Sequence, residues 1–271
     1  LQKDSNASFA DHNLLASILQ RKASVDWWGI QNGVKMQDRY AGDVGDFVKL
    51  GLLRAIAPGH QLGLAWYRFP DEAHNKDGRH IDYLQKPDTY KALDPELFDH
   101  LGKVVLSARK LATLLPVLPG AISFEESLEV TGVPARKRRD WRQSWFSRVI
   151  QKLKGCDLVF ADPDNGIVDD KDTRKGRATF GKQIPLSEVR DLARGRCAVI
   201  YHHNTRRPGG HDEEVNHWIN QFGMPAIAIR ATAYSPRTFF VINPSPEIEH
   251  RAEAFCASWR TMKVRLHVTT S

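Results

Sequence analysis

At 271 residues, with 41% hydrophobic and 26% charged side chains, the chain has ordinary globular composition, which excludes a disordered or fibrous protein and supplies a core for one large domain. No run approaches the roughly 18 uncharged apolar residues that cross a bilayer, and the amino end lacks a secretory layout, so a cytoplasmic protein with no membrane partner is expected. The formal charge of +7 favours polyanionic partners, nucleic acid first.

Residues 1–35 carry Leu14, Leu15, Ile18 and Leu19 at helical spacing but little other apolar pattern, and Met36 directly precedes the first motif-like segment. The expected organisation is an N-terminal extension over 1–35 and a single α/β domain over 36–271. Phe47, Val48, Leu50, Leu52, Leu53 and Ile56 predict a helix over Asp46 to Ile56, ended by Pro58-Gly59. Gln61 to Phe69 reads as a buried strand. The polar segment Asp71 to His80, with Asn75, Asp77 and Gly78, reads as a loop long enough to be functional. Residues 95–115 are predicted helical, Ala121 to Leu128 extended, and residues 136–153 a basic helix. Cys156 to Ala161 is a short apolar strand running into Asp162-Pro163-Asp164-Asn165-Gly166. Pro185 to Arg194 and Glu213 to Phe222 read as helices flanking a buried strand at Cys197 to Tyr201. Ala226 to Ala231 and Thr238 to Ile242 are close enough to pair only antiparallel. The alternation predicts an α/β fold: a mainly parallel open sheet with helices on both faces and a C-terminal antiparallel strand pair containing one reversed strand. A further strand is placed at Lys103 to Leu106.

Ligands of open α/β sheets gather beyond the carboxyl ends of the strands. Four polar segments fall there: Arg68 to Asp82, Glu125-Glu126, Asp162 to Gly166, and His202 to Arg207. In Asp162-Pro163-Asp164-Asn165 the proline fixes the backbone and removes a donor, so the flanking side chains and carbonyls can converge on one point. Such a turn can hold an amino group while its lone pair attacks a methyl donor; the plainer reading is a tight turn. His202, His203, His211 and His217 titrate near neutral pH, but their spacing matches no metal motif. Cys156, Cys197 and Cys256 are dispersed and form no CxxC pair, so no metal ligands are assigned. Tyr40 to Lys49 leads small residues into a helix start, which suits close backbone approach to a ligand or simply a capped terminus with Asp43 or Asp46 at the N-cap. The densest basic stretch is Arg136-Lys137-Arg138-Arg139, followed by Arg142 and Arg148 with Trp141, Trp145 and Phe146 between them. Guanidinium groups neutralise phosphates and rings stack on bases, although an amphipathic helix with core tryptophans has the same pattern.

Ala41-Gly42-Asp43-Val44-Gly45-Asp46-Phe47-Val48-Lys49 and Asp162-Pro163-Asp164-Asn165 together resemble the bacterial 23S ribosomal RNA adenine-N6 methyltransferases. That family opens with Ala-Gly-Asn-x-Ala-Asp-Val-Leu-Lys and carries an Asp-Pro-Pro-Tyr catalytic turn. Asn165 stands where the family places the aromatic that stacks on adenine. The family's Asp-x-x-x-Gly-x-Gly turn is replaced by Tyr67 to Gly78. The resemblance implies a class I methyltransferase-like sheet, S-adenosylmethionine as cofactor and nucleic acid as substrate, RNA rather than DNA. It implies that Asp162 and Pro163 orient the acceptor amine, and that Asp164 or Asn165 completes the clamp. Asp46, Lys49, Asp77 and Glu125 would serve the cofactor side, and Arg136, Lys137, Arg138, Arg139 and Arg142 would track phosphates. On this reading Asp162→Ala abolishes turnover at an almost unchanged melting temperature. Two alternatives use the same sheet: a divalent-metal nuclease or phosphohydrolase built on Asp162, Asp164, Asp77 and His202 or His203, and a non-catalytic nucleic-acid-binding module.

Overall fold

The computed structural model describes residues 41–69, 80–107 and 109–268. The 1–35 extension, Met36 and the cofactor candidate Asp77 lie outside the described residues.

Helix α1, Val44–Ile56, begins where the Asp43 side chain accepts the Asp46 N–H, and Asp46 in turn reaches back to the Gly42 N–H. Two amides left over at the helix start are thereby satisfied. Strand β1, Leu62–Tyr67, follows. Helix α2, Pro95–Leu106, has Asp94 as N-cap and proline in its first turn. Strand β2, Ile122–Phe124, leads through the basic helix α3, Arg138–Lys152, to β3, Leu158–Pro163. A two-residue ladder, β4 Ile167–Val168 with β5 Ile184–Pro185, brackets an inserted segment. Then come α4, Leu186–Leu192; β6, Cys197–His203; α5, Gly210–Phe222; β7, Ala226–Ala231; β8, Arg237–Ile242; α6, Pro246–Ser258; and β9, Val264–Leu266.

The main sheet has seven strands in the order β2-β1-β3-β6-β8-β7-β9. Strands β2, β1, β3 and β6 run parallel, β8 is antiparallel to both β6 and β7, and β9 is antiparallel to β7. The expected α/β sheet with a C-terminal antiparallel pair is thus present, with two reversed strands rather than one.

Alternate strand residues enter two cores, as the twofold side-chain period requires. Leu64, Trp66, Phe160, Val199 and Phe239 meet α1, α2 and α6 on one face; Ala65, Tyr67, Val159, Ala161, Ile200 and Phe240 meet α3, α4 and α5 on the other. Burial on both faces accounts for the nearly continuous apolar runs of the central strands.

The strand placed at Lys103 to Leu106 is instead the last turn of α2, whose Leu97, Phe98, Leu101 and Val104 form a buried helical stripe. The helix expected over 95–115 stops at Leu106, and the following stretch continues in short 3-10 turns around Pro116. The seventh strand of the sheet is β9, beyond the predicted hairpin. Among the described residues no helix is long and apolar enough to cross a membrane. All three cysteines are buried free thiols.

Candidate active site at the carboxyl edge of the sheet

A cavity of about 410 Å³ opens where the start of α1 faces the carboxyl ends of β1, β3 and β6. Asp43, Asp46 and Lys49 line it from α1, Trp66 and Arg68 from β1 and its continuation, and Asp162, Pro163, Asp164 and Asn165 from the end of β3. All four residues of the candidate turn are therefore brought together with the Asp46–Lys49 segment.

Lys49 is the centre of this arrangement. Its Nζ donates to Asp162 Oδ2 at 2.7 Å and to Asp46 Oδ1 at 3.0 Å, and it lies 5.7 Å from the ring centres of both Trp66 and Tyr201. Burial by itself would push the ammonium pKa down, but Asp162 and Asp46 together outweigh it and hold Lys49 above its ordinary value. Burial pushes the Asp162 carboxyl up, and Lys49 pulls against that rise. Asp162 thus anchors a buried cation, and Asp162→Ala is expected to lower the melting temperature as well as any turnover. That variant leaves the ammonium short of one of its two acceptors.

The turn itself is stapled to the next strand. The Asn165 N–H donates to the Lys182 carbonyl at 2.8 Å, and the Ile167 N–H donates to His202 Nδ1 at 2.9 Å. Between them Gly166 has φ +79, and a Cβ there would stand 2.4 Å from His202 Nδ1 and 2.9 Å from the His203 amide. Only glycine meets both demands.

His202 accepts at Nδ1, so Nε2 carries its hydrogen, and that atom lies 3.2 Å from Glu214 Oε1 in a fully buried position. Burial pushes the Glu214 carboxyl up, but the adjacent His202 ring and hydrogen bonds from Thr205 outweigh it and bring it down to about 2. His202 is accordingly structural, while His203 lines the cavity. Among the described residues no group of three or more His, Cys, Asp or Glu side chains is placed to hold a metal ion.

The other candidates divide. Glu125 is absent from the cavity lining; its Oε1 accepts from Ser123 Oγ at 2.9 Å and its Oε2 lies 3.8 Å from Arg68 Nη1. Arg136, Lys137 and Arg139 are exposed on α3 and the turn before it. Arg138 donates to the Val133 and Gly176 carbonyls at 3.0 and 2.9 Å. Arg142 points inward. It is 5% exposed, donates to Glu188 Oε1 at 2.7 Å and Oε2 at 2.9 Å, and reaches the Phe180 and Gln183 carbonyls. A guanidinium held this way is unavailable to phosphate, so the place given to Arg142 among the phosphate contacts is corrected.

Sequence reasoning missed Arg237, which lines the cavity at 5% exposure. Attention to the carboxyl ends of parallel strands passes over it, because Arg237 is the first residue of a reversed strand and stands opposite His203 at the same sheet edge. Its Nη2 donates to Ser235 Oγ at 2.6 Å, and its buried Nε has no hydrogen-bond partner. Gly45 makes room for it, since a Cβ at that position would come within 2.8 Å of Arg237 Nη1.

Next to Arg237, burial first and the Asp46 charge second push the Asp43 carboxyl up to about 6. The folded state therefore holds this proton more tightly than the unfolded chain. The resulting stability is fully present below the unfolded value of 3.8 and is lost as pH rises through about 6. Asp43→Asn keeps an acceptor for the Asp46 N–H and cannot titrate. Its melting temperature relative to wild type should climb across that interval, as thermal melts over a pH series will show; a constant difference would mean that Asp43 titrates normally.

Fold and cavity together define an α/β open-sheet protein with a polar-lined cavity at the carboxyl edge. Neither a model of a known protein family nor the sequence of a curated protein matches the chain.

Proposed function

We propose that the chain is an S-adenosylmethionine-dependent methyltransferase-like enzyme acting on a base amino group of nucleic acid, RNA rather than DNA. One observation carries this reading. The two segments that resemble the RNA adenine methyltransferases, Ala41–Lys49 and Asp162–Asn165, line one cavity and are joined by the 2.7 Å contact between Lys49 Nζ and Asp162 Oδ2. Residues 113 positions apart have no local reason to meet.

The donor set fits the cofactor at one end. Arg237, with its orphaned buried Nε, suits a carboxylate, and neighbouring Asp43 suits an ammonium. The cavity lies within the roughly 300–1,000 Å³ of small-molecule sites. Bound there, S-adenosylmethionine would supply an electrophilic methyl group. The chain's own part is positioning: Lys49 fixes the Asp162 carboxylate, Asp162 accepts the substrate's amine hydrogen, and Pro163, lacking an N–H, leaves the adjacent backbone free of a competing donor. Asn165 offers an amide where the family carries a stacking ring, so ring stacking falls to the cavity aromatics Trp66 and Phe69. The test is a set of thermal melts with S-adenosylmethionine, S-adenosylhomocysteine, magnesium and manganese in turn. A ligand of the native state at a hundredfold excess over its Kd stabilises by about 2.7 kcal/mol. A response to the two adenosyl compounds supports methyl transfer, and a response to the metals alone overturns it.

A further inference from the structure

We infer that the insert between β4 and β5, together with the first turn of α3, forms one phosphate-tracking surface that leads a single-stranded nucleic acid to the cavity. The inference rests on the nucleic-acid reading above and adds the insert to it. Lys171, Arg174, Lys175, Arg177 and Lys182 all belong to this segment, which has no part in the sheet core.

The two basic elements are physically one body. Arg138 Nη1 donates to the Gly176 carbonyl at 2.9 Å, and Arg142 Nη1 and Nη2 donate to the Phe180 and Gln183 carbonyls at 2.9 and 2.8 Å. Three insert carbonyls are thus held by guanidinium groups of α3. Gly176 lies close enough to the turn before α3 that a Cβ on it would be 3.5 Å from the Ala135 carbonyl oxygen. Arg136, Lys137 and Arg139 on α3 and its preceding turn, and Lys171 and Arg177 on the insert, are all exposed.

Acidic neighbours do not cancel this charge. Asp169 is shared by Lys171 at 3.3 Å and Arg174 at 2.8 Å. Asp170 is turned away to α4, where it accepts from the Ser187 N–H at 3.0 Å and Oγ at 2.6 Å. In sequence the two segments carry more Lys and Arg than Asp, even with Asp140 and Asp172 counted. Spaced cations of this kind bind a backbone through counterion release, without reading sequence.

The path ends at the candidate turn. Lys182 lines the cavity, its Nζ sits 5.2 Å from the Phe69 ring centre, and its carbonyl accepts the Asn165 N–H at 2.8 Å. A cation and a ring side by side at the mouth suit a phosphate followed by an unstacked base. A base can enter a recessed cavity only after leaving its stack, which costs least when the strand is already single. Arg142 is then a positioning residue: it touches no phosphate but holds the insert against α3.

The test is fluorescence anisotropy of the full chain with a labelled single-stranded RNA over a salt series, without cofactor. Lys171→Gln, Lys175→Gln and Arg177→Gln combined should lower the slope of log affinity against log salt by about two, at about 0.7 per lost contact. A control of equal charge loss at the opposite edge, Lys152→Gln, Lys154→Gln and Arg194→Gln, should leave the slope unchanged. An unaltered slope in the insert variant, an equal fall in the control, or no RNA binding by the wild type overturns the inference. Because binding is read without cofactor, failure of S-adenosylhomocysteine to bind would overturn the catalytic reading and leave this surface standing.

Discussion

Arg142→Ala is expected to destabilise the protein by about 3–5 kcal/mol, the cost of removing one partner from a buried ion pair. The change strips Glu188 of both its guanidinium contacts, at 2.7 and 2.9 Å, and leaves it with the Tyr67 hydroxyl at 3.0 Å as a donor. Burial and the Glu188 charge both push the Tyr67 pKa well up, so it stays a neutral donor and supplies no balancing positive charge. The Phe180 and Gln183 carbonyls lose their donors at the same time. At about 2–4 °C per kcal/mol for a domain of this size, the melting temperature should fall by roughly 6–20 °C. Arg142→Met combined with Glu188→Leu should cost less than Arg142→Ala, because no uncompensated charge then remains. Calorimetric melts of the two variants decide the matter. A loss below about 1 kcal/mol for Arg142→Ala would match an exposed pair and contradict the buried clamp.

Lys49→Met should damage both stability and turnover. Methionine preserves most of the side-chain length but leaves Asp46 and Asp162 facing each other without the cation they share. With the cation gone, only burial and the Asp46 charge act strongly on the Asp162 carboxyl, and both push it up. Its protonation then favours the folded state at low pH, so the variant's deficit of about 3–5 kcal/mol near neutrality should shrink as pH falls through that raised value. On the proposed methyl-transfer reading, activity should drop by at least about 100-fold, the scale of a misplaced catalytic group. A Lys49→Met enzyme with full activity would place the chemistry elsewhere in the cavity.

The sheet was legible because its strands are short apolar runs punctuated by Pro, Gly and Asn; β7, read at Ala226 to Ala231, has those limits in the structure. Helix α6 carried a readable start signal in Ser245, whose side chain accepts the Ile248 N–H, and in Pro246 at its first turn; it lay beyond the hairpin at which the pattern was closed. The site was legible only through its two motif segments. Lys49 lies inside an apolar helical run and Asp162 at the end of an apolar strand, and nothing local ties one to the other. Arg142 misled for a related reason. Within its helix it continues a basic run, and its burial depends on Glu188, 46 residues away, which fills the space between α3 and α4. Arg237 depended on knowing that β8 lies beside β6, which sets it opposite His203. Partner identity across the fold is what local patterning does not encode.

Calorimetric titration of the wild-type protein with S-adenosylhomocysteine shows whether the cavity holds the proposed cofactor. Saturable binding at one site is expected, weakened in Lys49→Met and in Arg237→Gln. No heat with S-adenosylhomocysteine, alongside clear binding of magnesium or manganese, would contradict it.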